Sequence, residues 1–115
     1  MIAVIFEVVP APGRMELYLG MARDLRPLLD DVDGFISIER FRSLTDPARL
    51  LSLSFWRDEE AVKAWRNGEQ HRAAQSLGRH GVFDAYRLRI AGVVRDYGLG
   101  DRDEAPEDSR AFHAA

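Results

Sequence analysis

The side chains best suited to chemistry crowd into one stretch, LLSLSFWRDEEAVKAWRNGEQHRAAQ (residues 50–75), which holds both tryptophans, Trp56 and Trp65, and one of three histidines, His71. An imidazole titrates near neutrality and can serve as a general base, while indoles exclude water and pack against rings. Ser52 and Ser54 share a strand face with Trp56, and two hydroxyls beside an indole waste burial unless something polar or a ligand meets them. A plainer reading fits the same residues. Trp65 follows Val62 by three positions and Ala61 by four, the spacing of a helix's core stripe. A histidine beginning a short helix commonly caps it or faces water. Cavity wall and packed core both remain open from the residues alone.

Other chemistries find less support. There is no cysteine, hence no disulfide, thiolate metal site or cysteine nucleophile. No HxxE or HxH spacing suggests a metal site. Glycine-rich phosphate loops are absent, so a nucleotide cofactor bound in the usual way is not expected. Residues 1–98 carry 14 acidic and 14 basic side chains, so the net charge of −3 comes from the tail. Fifteen of the 16 basic residues are arginines scattered without a stripe, so no nucleic-acid partner is expected. No apolar run approaches the roughly 18 residues of a membrane span. MIAVIF lacks a basic leader and meets Glu7 early, so it reads as a strand and not a signal peptide; the expected location is cytoplasmic.

The elements that must position these groups are legible. IAVIFEVVP (residues 2–10) is a strand stopped by Pro10, Pro12 and Gly13. Met15, Leu17, Met21, Leu25, Leu28 and Val32 form the apolar stripe of a helix, with a kink or restart expected at Pro27 and an end at Asp33-Gly34. GFISIERFRS and RLLSLSFW form a hairpin around the TDPA turn. Asp58 is placed to cap a second helix that Asn67-Gly68 ends, a short helical stretch EQHRAAQSLG follows, and YRLRIAGVVRDY is the last strand, with a bulge expected at Gly92. Glu7 and Glu39 lie mid-strand, where Arg40, Arg42, Arg87 and Arg89 offer structural ion pairs, while Arg57, Arg66 and Arg72 are expected in water.

The order β-α-β-β-α-β predicts an α+β, ferredoxin-like domain over residues 1–98, a four-stranded antiparallel sheet with helices on one face. Residues 99–115 form an acidic tail, flexible or pinned by a partner subunit. Strand three offers Leu51, Leu53 and Phe55 on one side and Ser52, Ser54 and Trp56 on the other, so neither side is a wet surface. A second subunit stacking sheet on sheet would resolve this, so a homodimer is expected.

This order, the Asp33-Gly34-Phe35 start of strand two, and the run FWRDEEAVKAW followed by His71 resemble the antibiotic biosynthesis monooxygenase domain of the dimeric α+β barrel superfamily, over about residues 2–97. The resemblance implies a ligand cavity between sheet and helices, and for some members a cofactor-independent oxygenation of phenols or hydroquinones. His71 would then be the base, with Trp56, Trp65, Phe6 and Tyr86 as cage walls and Ser52 and Ser54 as hydrogen-bonding groups. Haem-degrading members carry an asparagine, a tryptophan and a ligand histidine where this chain has Phe6, Trp65 and Gln75, which disfavours haem. Quinone-forming members carry an asparagine, a tryptophan and a tyrosine where it has Ser52, Trp56 and Val62. The reading is a cofactor-independent monooxygenase for a small aromatic molecule. Its alternatives are a non-catalytic small-ligand module, a haem protein with an altered site, and a purely structural dimer.

Overall fold

Strand three alternates strictly, with Leu50, Ser52, Ser54 and Trp56 buried and Leu51, Leu53 and Phe55 half-buried. Successive strand side chains point to opposite faces, so this pattern marks a strand with one face covered more deeply than the other. This computed structural model describes residues 1–68, 72–73, 76 and 81–113. The elements are β1 (Ile2–Pro10), α1 (Met15–Leu29), β2 (Phe35–Arg42), β3 (Leu50–Trp56), α2 (Glu59–Arg66), β4 (Phe83–Gly92) and α3 (Glu107–His113). The strands form one antiparallel sheet in the order β2-β3-β1-β4, the ferredoxin-like arrangement read from the sequence. Helices α1 and α2 cover the face that carries Ser52, Ser54 and Trp56.

Local chemistry sets the boundaries. The hairpin turn closes through Ser43, whose Oγ accepts from the backbone N–H groups of Thr45 and Asp46, and through Asp46, whose carboxylate accepts from the N–H of Ala48. Asp58 caps α2 by accepting from the Ala61 N–H at 2.9 Å, and Asn67 follows the last helical residue. Gly34 turns the chain into β2 at φ +90°, where a Cβ would stand 2.7 Å from that of Ala61, so only glycine fits both backbone and packing.

Four expectations need correction. Helix α1 runs through Pro27 to Leu29 without a restart: the proline lies in the last turn, where its missing N–H interrupts little. Strand β4 spans Phe83–Gly92 instead of beginning at Tyr86 and running past Gly92. The bulges fall between Val9 and Pro10 and between Phe35 and Ser37, whereas Gly92 pairs regularly with Ile2. The acidic tail is also not without structure, since Glu107–His113 is helical and Ala105 is buried. Arg102 holds this segment to itself, donating to the Gly98 carbonyl and the Ser109 hydroxyl and lying over the Tyr97 ring. The radius of gyration is 16.9 Å, against about 13 Å for a compact chain of this length. Most of the stretch EQHRAAQSLG lies outside the described residues.

Packing divides into two clusters between sheet and helices. One gathers Val8, Tyr18, Leu50 and Val82, and the other gathers Leu29, Trp56, Ala61 and Val62.

Candidate functional site

Two rows of residues cross the sheet between these clusters. One runs Arg40, Ser52, Phe6, Leu88 and the next Ile38, Ser54, Val4, Ile90. In both rows the β3 position is a serine, too short to fill the gap to the helices, so the two cores do not meet. What remains is a cavity of about 360 Å³ floored by these eight residues, within the usual size of a small-molecule site. Tyr18, Met21, Ala22, Leu25 and Leu29 of α1 roof it, with Val62, Trp65 and Arg66 of α2. Trp56 closes one end, and Phe83 and Tyr86 stand at the other.

The two ends differ in kind. At the first, the buried Trp56 Nε1–H donates to Ser54 Oγ at 2.9 Å, and the indole meets the Phe35 ring edge-on at 5.2 Å. This bond fixes the indole's tilt and leaves the serine's own proton free to turn into the cavity. At the second, Phe6, Phe83, Tyr86 and Tyr18 form a cluster of angled rings with centroids 5.6–6.0 Å apart. Such a wall favours a flat apolar guest. No group of three or more His, Cys, Asp or Glu residues able to hold a metal occurs among the described residues.

A charged clamp outside the cavity holds its Trp56 end. Arg57 donates from both terminal nitrogens to the two carboxylate oxygens of Asp33 at 3.1 Å and from Nε to Asp58 at 3.0 Å, tying the turn before β2 to the start of α2. The hydrogen bond and charge of Arg57 hold the Asp33 carboxyl below its ordinary range. Asp58 is likewise lowered, first by the Ala61 N–H that it caps and then by Arg57, while the two carboxylates raise the Arg57 guanidinium above its ordinary value.

Six residues singled out in the sequence, Trp56, Trp65, Ser52, Ser54, Phe6 and Tyr86, line this one cavity. His71 lies outside the described residues, as does Gln75. Trp56 joins both readings of the opening stretch, for it is only 2% exposed within a packed cluster and yet walls the cavity. Glu7 pairs with Arg89 at 3.1 Å, as expected of a structural ion pair. Arg57 is engaged with two carboxylates rather than merely solvated. Arg40 is the main residue that sequence reasoning missed: instead of meeting a glutamate it faces the cavity opposite Ser52. Its parity with Ile38, two residues before, could have signalled this. The roof residues Tyr18 and Met21, and Arg66, were also not anticipated.

Comparison with known proteins agrees with the architecture. A protein from Pyricularia oryzae named jasmonate monooxygenase ABM is 48% identical over 94 residues, which cover 82% of this chain and 44% of that protein. This chain thus spans less than half the length of that relative. The uncharacterised protein YqjZ of Bacillus subtilis is 31% identical over 93 residues, covering 81% of this chain and 79% of its own. The solved structure of Rv0793 from Mycobacterium tuberculosis superposes with a TM-score of 0.76 at 13% identity, covering 84% of this chain and 98% of that one, which speaks for the fold. The antibiotic biosynthesis monooxygenase family matches residues 1–77, from β1 through α2, which include Ser52, Ser54, Trp56 and Trp65. With the family matched over most of its length and two relatives above 30% identity, this chain belongs to the antibiotic biosynthesis monooxygenase family.

Proposed function

We propose that this protein is a monooxygenase that oxidises a small ring-bearing molecule of the phenol or hydroquinone type within the cavity between sheet and helices, without a bound cofactor. The observation that carries this reading is the convergence of Trp56, Trp65, Phe6 and Tyr86 with the hydroxyls of Ser52 and Ser54 on one cavity, open along β4. A phenol that loses its proton becomes electron-rich enough to reduce dioxygen itself. One oxygen atom bonds to a ring carbon and the other leaves as water as the ring becomes a quinone, so phenol and dioxygen balance quinone and water with no outside reductant. The protein's part is to take the proton, hold the anion and exclude water. His71 takes the proton, the serine hydroxyls donate to the ring oxygen, and the aromatic wall keeps the ring flat and dry. Haem is not part of the proposal, because Gln75 stands where the haem-degrading members carry their ligand histidine.

Oxygen uptake tests this reading directly, with a panel of phenols and hydroquinones and with jasmonate, for which the fungal relative is named. Uptake is expected with one or more of the panel. It should be abolished in Ser52→Leu, which fills the gap between the two packed clusters, while the melting temperature holds or rises. Ligands that raise the melting temperature with no uptake from any panel member would replace the enzyme with a binding module.

The working unit of the proposal is a homodimer. Opposite the helices, Leu51, Leu53 and Phe55 face away from the cavity and are only half-buried, and Phe41 on β2 is 43% exposed. A second copy laying the same face against this one would bury that apolar layer.

A further inference from the structure

Arg40 is placed like no other arginine described. Its Nε–H is shut off from solvent and has no hydrogen-bond partner among the described residues. Arg26, Arg57 and Arg89 each meet a carboxylate, whereas among the described residues none lies within ion-pair range of Arg40. Its cross-strand neighbour is Ser52, and both line the cavity. The described lining contains a second cation, Arg66, and no aspartate or glutamate. Such a lining sets two guanidinium groups against no carboxylate, an excess of positive charge that an anion within reach of their terminal nitrogens would offset.

We infer that the cavity takes a small amphiphilic anion, a carboxylate whose charged end meets the Arg40 guanidinium and the Ser52 hydroxyl while its apolar body lies against Phe6, Phe83, Tyr86 and Leu88. The floor is graded for this, since the row Arg40, Ser52, Phe6, Leu88 passes from cation to hydroxyl to ring to aliphatic chain across four strands. A guanidinium presents paired donors in a fork that fits the two oxygens of a carboxylate and not the single oxygen of a phenolate or an ester carbonyl. The inference narrows the substrate class of the proposed oxygenase, but it concerns binding alone and rests on that reading only for the use made of the bound molecule.

Calorimetric titration with 3-phenylpropanoate and with its methyl ester tests it on the full chain. The carboxylate should bind at least about tenfold more tightly, the margin of one charge-assisted hydrogen bond. Arg40→Met should bring the two affinities together, and Arg40→Lys, which keeps the charge but loses the fork, should fall between. Ser52→Ala provides a second variant that leaves the guanidinium in place, and it should weaken the carboxylate more than the ester. Equal affinities in the wild type, binding of neither probe, or a carboxylate preference that survives in Arg40→Met would overturn the inference. Its failure is distinguishable from that of the proposed activity. A carboxylate preference with no oxygen uptake from any substrate removes the oxygenase and keeps the anion site, and uptake with neutral phenols without that preference does the reverse.

Discussion

The two faces of β3 invert the usual distribution of residue types, while its neighbours keep it: Val4, Phe6, Ile38, Leu88 and Ile90 lie on the helix side, and Glu7, Glu39, Arg87 and Arg89 on the other. On the side covered by helices, β3 contributes Ser52 and Ser54; on the bare side it contributes Leu51, Leu53 and Phe55. On this strand polar side chains thus face in and apolar ones face out. The covered face holds a cavity whose floor needs short side chains and hydrogen-bonding groups. The bare face holds the apolar group Leu51, Leu53, Phe55 and Phe41 among the charged Glu7, Glu39, Arg87 and Arg89. Burial on β3 therefore cannot be read from polarity, and each face of that strand gains its meaning from what fills it.

Several substitutions break or sharpen the contrast, and the largest effect belongs to the covered face. Trp56→Ala should cost about 3–5 kcal/mol in chemical denaturation, because it empties a site packed by Leu29, Ala61 and Val62. A loss under about 1 kcal/mol would mean that the indole only borders open space. On the bare face, Leu53→Arg should turn the proposed dimer into monomers or aggregates while leaving the covered face folded. Sedimentation at micromolar concentration checks this, and a monomeric wild type would remove the idea. Ser54→Ala is subtler and should cost about 1–2 kcal/mol, since it strands the buried indole N–H that now donates at 2.9 Å.

The smallest effect concerns the clamp beside the cavity. Asp33 and Asp58 titrate below their ordinary values when folded, so they bind protons less readily than in the unfolded chain. Their stabilisation is complete above the unfolded carboxylate range of about 4 and is lost as pH falls through their folded values. Both side chains are exposed, so the loss should be modest. Melting temperatures between pH 6 and pH 3 should show a shallower acid-side decline in Asp33→Asn than in the wild type.

Much of this architecture was legible because it is local. The alternation from Leu50 to Trp56 depends only on strand geometry, and Asp58 announced its cap because a carboxylate three residues before a free N–H has that use in almost any helix. The proline at position 27 misled for a related reason. A proline's cost depends on how many turns follow it, and the end of α1 is set by tertiary packing around Leu29.

What the sequence determined by itself was the order of the elements and the parity of each strand, which follow from periods of two and of three to four residues that any window of the chain displays. That Trp56, Trp65, Ser52, Ser54, Phe6 and Tyr86 share a cavity was implied by the family resemblance and not by periodicity. The tertiary structure alone decided that the serine rows open a space and that Arg40 stands beside Ser52 without a carboxylate. An empty volume has no residues of its own. It exists only where the register of β2 on β3 and the height of two helices leave side chains too short to touch, and distances between segments far apart in the chain set both.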